Sequence, residues 1–218
     1  ADIESALPIL GKGGFYHAGQ VCVSVQRIFV DDIIANQFAE GLAAYAQRLI
    51  VGDPTSLQTE VGPLIEPAEV SRVQRWVDDA VAKGAEVLAG GQAISKTCFA
   101  GTVLYNPPAD AIVSQHEVFG PVVSVYPYSS LEQAIESANS LPYAFQAAVF
   151  TRDIDTAMDA YQQLAASAVM INESTTFRVD SMPFAGLRQS GLGGGGIPHT
   201  MRDMQIEKMM VLRSKNLK

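Results

Sequence analysis

Two cysteines, Cys22 and Cys98, are all that this chain of 218 residues holds. Two thiols in a chain of this length build no disulfide framework, so a reducing, cytoplasmic setting is the simplest expectation. Basic residues are also scarce. Lys and Arg total 15 against 23 Asp and Glu, giving a formal net charge of -8. A nucleic-acid binder needs a basic footprint to neutralise phosphates, and none is visible. No uncharged apolar run is long enough to cross a bilayer. No segment combines a basic start, an apolar stretch and a small-residue cleavage site. No group of His and Cys has metal-ligand spacing, so no metal is expected. Charged residues make up only 17% of the chain, which hints at surface covered by a partner.

What is present is a hydrophobic fraction of 48%, enough to bury a full core in one domain with a small appendage. Short β-branched runs alternate with amphipathic stretches. Strands are expected at Val25–Val30, Glu86–Ala89, Thr102–Tyr105, Val122–Tyr126, Ala147–Phe150 and Ala168–Ile171. Between them, apolar stripes predict helices over 32–50, Glu66–Lys83 and Asp153–Ala166. Another helix opens at Leu131 behind the capping box Ser130-Leu131-Glu132-Gln133. The pattern predicts an α/β fold, doubly wound, with a mostly parallel sheet flanked by helices. Residues 51–67 and the glycine-rich 175–198 read as loops. The tail 206–213 reads as a final strand set apart from the sheet.

Cys22 closes the segment Gly13-Gly14-Phe15-Tyr16-His17-Ala18-Gly19-Gln20-Val21-Cys22. A glycine-rich turn leads to it and a strand follows. A thiol at such a junction can be exposed in a cleft, and a thiolate attacks carbonyl carbon well. The bland alternative is an inert buried cysteine, the commoner fate of an isolated one. Cys98 has no glycine frame and reads as structural. The run Gly191-Leu192-Gly193-Gly194-Gly195-Gly196 satisfies G-x-G-x-x-G, yet it follows no strand and is met almost at once by Pro198. It therefore reads as a loop rather than a dinucleotide fingerprint.

The string Gly19-Gln20-Val21-Cys22, with Arg27 five residues on, resembles the active-site segment of the aldehyde dehydrogenase superfamily. Three further strings follow in that family's order. They are Val51-Gly52-Asp53-Pro54 with Val61-Gly62-Pro63-Leu64, then Glu117-Val118-Phe119-Gly120-Pro121, then Asn172 with the segment Pro183–Gly193. The resemblance covers essentially the whole chain. It implies an NAD(P)-dependent oxidation of an aldehyde to a carboxylic acid. Cys22 would be the nucleophile, forming a thiohemiacetal and then a thioester. Its own backbone amide would stabilise the oxyanion. Glu117 would hydrogen-bond the nicotinamide ribose, and Phe119 would pack near the ring. Phe15, Tyr16, Asn172, Phe177 and Phe184 would line the substrate pocket. Arg178 would face an anionic substrate at its mouth, with a salt bridge to Asp180 or Glu173 as its ordinary alternative.

The resemblance also marks departures. The family's Glu-Leu-Gly-Gly string, which carries the general base, does not occur. Nor does the strand–loop–helix that holds the pyrophosphate. His17 stands where many relatives have asparagine, and Gly193-Gly194-Gly195 stands where many have Gly-Arg-Glu. The chain begins Ala1-Asp2-Ile3-Glu4 and reads as entered mid-protein. The implied layout is a catalytic domain over 1–196 and an oligomerisation arm over 197–218, with the N-terminal cofactor-binding domain absent. NAD or NADP is expected to serve the full-length enzyme and to bind this portion weakly. The expected partners are a small aldehyde and further copies of the chain, in a dimer or tetramer. Segments around Ile197-Pro198 and Met201–Met204 resemble the lactaldehyde and glyceraldehyde-3-phosphate subgroup. Two other readings remain beside this one: a truncated domain that only folds or associates, and a cofactor-independent thiol esterase.

Overall fold

Val122–Tyr128 forms the strand that organises the fold (β4), and the residues Val122, Val123 and Val125 within it are at most 1% exposed. A run apolar on both faces suits a strand covered above and below. The computed structural model describes residues 1–216. In it β4 lies between β1 (Arg27–Asp31) and β3 (Thr102–Tyr105), parallel to both, and β2 (Glu86–Ala89) closes the far edge antiparallel to β3. Helices flank this sheet. The helix α2 (Asp32–Arg48), capped by the Asp31 carboxylate on the Ile33 amide, lies along all four strands and buries Phe38, Leu42 and Ala46. Val70, Val73, Val77 and Ala80 form the buried stripe of α3 (Pro67–Ala82), spaced at helical period.

The rest of the chain repeats the motif on a smaller scale. A short α4 (Ile112–Gln115) precedes β4, and α5 (Leu131–Asn139) follows it. Ser130 caps α5 by accepting the Gln133 amide, while the Gln133 side chain reaches back to Ser129 rather than Ser130. After β5 (Tyr143–Ala144), β6 (Gln146–Val149) pairs in parallel with β7 (Ala168–Ile171) across α6 (Ile154–Gln163). Beyond them β8 (Leu187–Arg188) pairs antiparallel with β5, and α7 (Ile197–Asp203) is the last regular element. The α/β architecture with a mostly parallel sheet flanked by helices is as the sequence pattern predicts.

Two expectations need correction. The segment read as a glycine-rich turn is the end of a helix, α1 (Ile3–Phe15). Pro8, Gly11, Gly13 and Gly14 give it poor intrinsic propensity, so packing holds it. A side chain at Gly13 would collide with the Ser174 hydroxyl, so the bare backbone is what lets α1 approach the loop after β7. The second correction concerns the tail. Residues 205–214 form no strand, and Met209, Met210 and Val211 are more than four-fifths exposed. A strand exists only through a ladder, and the described residues offer this segment no partner. The arm expected over 197–218 ends in Leu217 and Lys218, which lie outside the described residues.

Candidate active site

Between α1 and β1 the chain makes a left-handed turn that sets Cys22. His17, Ala18 and Gly19 have φ of 51°, 56° and 71° in succession. Non-glycine residues in this region cost free energy and persist where the surroundings fix them. Here the fixing contact is Gly19 against the carbonyl of Gly120, where any Cβ would overlap the oxygen. Gln20 ties the turn to the 51–67 loop: its amide donates to the Pro63 carbonyl at 3.2 Å, and its oxygen accepts from the Ile65 amide at 2.9 Å. The Gly-Gln pair thus has a physical role apart from any resemblance, one residue for close approach and one for bridging.

Cys22 itself is exposed, in the turn that enters the strand. Its neighbours are held firmly. Val23 is buried and its carbonyl accepts from the Thr175 hydroxyl at 2.7 Å. The Ser24 hydroxyl donates to the carbonyls of Gly13 and Gly14, each at 3.3 Å. Among the described residues the Cys22 amide has no hydrogen-bond acceptor. An accessible thiol therefore sits beside an unspent N–H on an anchored backbone. Burial raises the pKa of Tyr16, and the nearby charge of Cys22 raises it further, so this hydroxyl stays protonated beside the thiol. Arg27 is engaged elsewhere: its guanidinium donates to the Ser137 and Ala138 carbonyls at 3.2 and 3.0 Å, closing the C-terminal end of α5.

The loop Glu117–Pro121 runs from α4 into β4. Val118 is buried, while Glu117 and Phe119 on either side of it reach solvent. Surrounding protein still desolvates the Glu117 carboxylate enough to raise its pKa. Phe119 has φ of 48° and is 41% exposed. With His17, Gln20, Val21 and Pro63 it lines an open cleft of about 830 Å³. Phe119 thus offers an aromatic face to the cleft that Val21, the residue before Cys22, also lines. The cleft is lined by no Lys or Arg, so it offers a diphosphate no counter-charge.

The remaining sequence candidates separate into groups. Phe15 is a correction: it is 1% exposed and stacks on Tyr45 at 6.5 Å, so it belongs to the core and lines no pocket. Tyr16 stands beside Cys22 and against His17. Asn172 ends β7 with φ of 56°, and its side chain both donates to and accepts from the Thr151 backbone at 2.9 Å. It fastens β7 to the end of β6. Phe177 is exposed on the loop whose Thr175 touches Val23. Arg178 lies over the ring of Phe184 at 4.3 Å, and Phe184 packs edge-on against Phe145. No ion pair joins Arg178 to Asp180 or Glu173 among the described residues. Sequence reasoning missed Thr175, Ser24 and Gln26. Polar residues in loops carry no periodic signal, and only the fold reveals that Thr175 meets the cysteine segment and that Ser24 and Gln26 tie that segment to α1 and to Val118.

Comparison with known proteins agrees with this arrangement. The model of the "Aldehyde dehydrogenase family" matches residues 1–210. A 3-sulfolactaldehyde dehydrogenase of Priestia aryabhattai is 36% identical over 212 residues, covering 97% of this chain and 44% of that protein. Two solved structures superpose closely. Glyceraldehyde-3-phosphate dehydrogenase GapN from Methanocaldococcus jannaschii, complexed with NADP, has a TM-score of 0.90 at 39% identity, covering 94% of this chain and 44% of that one. Aldehyde dehydrogenase 21 from Physcomitrella patens, in complex with the reaction product succinate, has a TM-score of 0.93 at 34% identity, covering 99% and 44%. The chain thus spans less than half the length of the relatives it matches. With a family model matched along nearly its whole length, and the cysteine turn, the Glu117 loop and the Thr175 loop brought together, the chain belongs to the aldehyde dehydrogenase family, whose members are oxidoreductases.

Proposed function

We propose that the protein containing this chain is an NAD(P)-dependent dehydrogenase that converts small aldehydes to carboxylic acids, with Cys22 as nucleophile. The observation that carries this reading is the exposed Cys22 thiol beside a backbone amide with no acceptor among the described residues, one position after Val21 of the Phe119 cleft. The Cys22 sulfur adds to the aldehyde carbon and the carbonyl oxygen becomes an oxyanion. The Cys22 amide donates to that oxyanion, where charge develops. Tyr16, protonated and partly buried, forms the adjoining wall. A nicotinamide cofactor would supply the hydride acceptor for this oxidation; Glu117 would hold it by accepting hydrogen bonds from its ribose hydroxyls, and Phe119 would offer a flat face to its ring. Water then cleaves the thioester at Cys22, releasing the acid and restoring the thiol. A glutamate activates that water in the family, and the Glu-Leu-Gly-Gly string that carries it is not in this sequence.

Arg178, which lines a pocket with Asp180, Ile197 and Met201, supports a substrate class. It has no acidic partner among the described residues, it is stacked on Phe184, and it belongs to the loop that Thr175 anchors beside Cys22. A fixed, unpaired guanidinium selects a carboxylate, sulfonate or phosphate on the aldehyde. Relatives named for 3-sulfolactaldehyde and glyceraldehyde-3-phosphate support an anionic substrate. The apolar, unpaired tail supports assembly with further copies through strand addition. A strictly monomeric profile in light scattering at high concentration would count against that assembly.

The test is a comparison of two polypeptides. The full-length protein should reduce NAD or NADP only when an aldehyde is added. The isolated 218-residue chain should not, and should show at most weak ester hydrolysis that vanishes in Cys22→Ser. Aldehyde-dependent reduction that survives Cys22→Ser in the full-length protein would overturn the assignment.

A further inference from the structure

The backbone of Val118, the residue before Phe119 of the cleft lining, is held from both sides. The Val118 N–H donates to the Gln26 side-chain oxygen at 2.8 Å. The Val118 carbonyl accepts from Arg72 Nη2 at 2.7 Å. Arg72 is itself fixed: its Nε donates to Glu69 at 2.7 Å, and its guanidinium lies 4.6 Å over the Trp76 ring. The Val118 side chain is 2% exposed. Its two neighbours are the exposed Glu117 and the exposed, left-handed Phe119.

Two side-chain anchors on one residue, with strain stored at the next, describe a loop whose geometry is imposed from outside. A free loop would relax Phe119 out of φ 48°. The anchors also have an informative origin. Gln26 lies four residues after Cys22 on the chain entering β1, while Arg72 comes from α3. The position of Glu117 and Phe119 is therefore referred directly to the cysteine segment.

We propose that Gln26 and Arg72 are positioning residues, which hold the two peptide groups flanking Val118 so that Glu117 and Phe119 face the bound cofactor in register with Cys22. This rests on the cofactor role proposed above for Glu117 and Phe119. Gln26 acts through Val118 and need touch neither cofactor nor aldehyde.

The test uses the full-length protein and two readouts. The first is amide hydrogen exchange at Val118 without cofactor. The second is the Kd for NAD and for NADP by calorimetry. Gln26→Met keeps the size and removes the acceptor. It should speed Val118 exchange about ten-fold, as loss of one buried hydrogen bond implies, and leave β3 and β4 amides unchanged. It should also weaken cofactor binding about five-fold or more, with the KM for aldehyde unaltered. Gln26→Glu retains an acceptor oxygen and should restore both. Unchanged Val118 exchange in Gln26→Met overturns the proposal. So does faster exchange with unchanged Kd, provided Glu117→Ala weakens binding in parallel. If Glu117→Ala has no effect on Kd, the cofactor role of Glu117 is what fails, while the exchange data still report the anchor. Should Gln26→Met not fold, Arg72→Met releases the following peptide group, on the other side of Val118. An unchanged Kd in that variant overturns the proposal equally.

Discussion

The Thr175 hydroxyl donates to the Val23 carbonyl at 2.7 Å, joining two loops separated by 152 positions at the residue next to Cys22. The carbonyl belongs to a buried residue, so losing its donor leaves a polar group short of a partner. Thr175→Val should therefore destabilise the chain by roughly 1 kcal/mol, and Thr175→Ser should not. Denaturant unfolding of both variants checks this. Equal stability of Thr175→Val and the parent would show that the bond carries no weight.

The two thiols differ sharply in access, since Cys22 is exposed and Cys98 is buried. A thiol-reactive reagent should modify one equivalent quickly in the native protein, with the label recovered on the Cys22 peptide. The second equivalent should appear only on unfolding. Recovery of label on Cys98 at a similar rate would contradict the fold around it. In the full-length protein, Cys22→Ser should cut aldehyde oxidation on the order of a thousand-fold or more, because an alcohol is a far weaker nucleophile than a thiolate.

Periodicity made most of the fold legible. The stripe Val70, Val73, Val77, Ala80 marked α3, and the continuous run at Val122 marked the central strand. What it could not mark was held by contacts distant in sequence. Helix α1 is rich in glycine because it approaches Ser174 and Val123 closely, and glycine reads locally as turn. The tail reads locally as a strand, yet pairs with nothing among the described residues. For the site, the motif strings located Cys22 and the Glu117 loop. Gln20, Gln26, Arg72 and Thr175, which lock those segments together, make side-chain to backbone bonds that no local pattern encodes.

Arg178 offers a test of substrate class. Its guanidinium is stacked on Phe184 and lacks an acidic partner among the described residues. A charge-assisted hydrogen bond to a substrate anion contributes about 1.5–3 kcal/mol, or roughly ten- to a hundred-fold in affinity. In the full-length protein, Arg178→Ala should raise KM by that order for aldehydes bearing a carboxylate, sulfonate or phosphate, and leave neutral aldehydes unchanged. An equal rise for both would sink the anionic reading.

Acid should destabilise the fold through its caps. The carboxylates of Asp2, Asp53, Asp79 and Asp153 have pKa values below the ordinary aspartate range. Backbone amides are the main cause in the first three and the Thr156 hydroxyl in the last. A carboxylate with a depressed folded pKa binds protons less readily in the native state than in the unfolded one. Its stabilisation is present above the unfolded value, about pH 4, and is lost as pH falls through the folded value. Glu117, raised by burial, works in the opposite sense and favours the folded state on protonation. Where the depressed aspartates titrate, the slope they impose is positive, so their share of the thermal stability should be lost as pH falls below about 4. Asp79 is the best single probe, since its carboxylate accepts the Ile112 amide at 2.9 Å and pairs with Lys83 at 3.1 Å. Asp79→Asn should lower the melting temperature at neutral pH and narrow the gap to the parent in acid, where the parent has lost the same charge. A constant gap across the pH series, followed by circular dichroism, would show that the Asp79 charge plays no part.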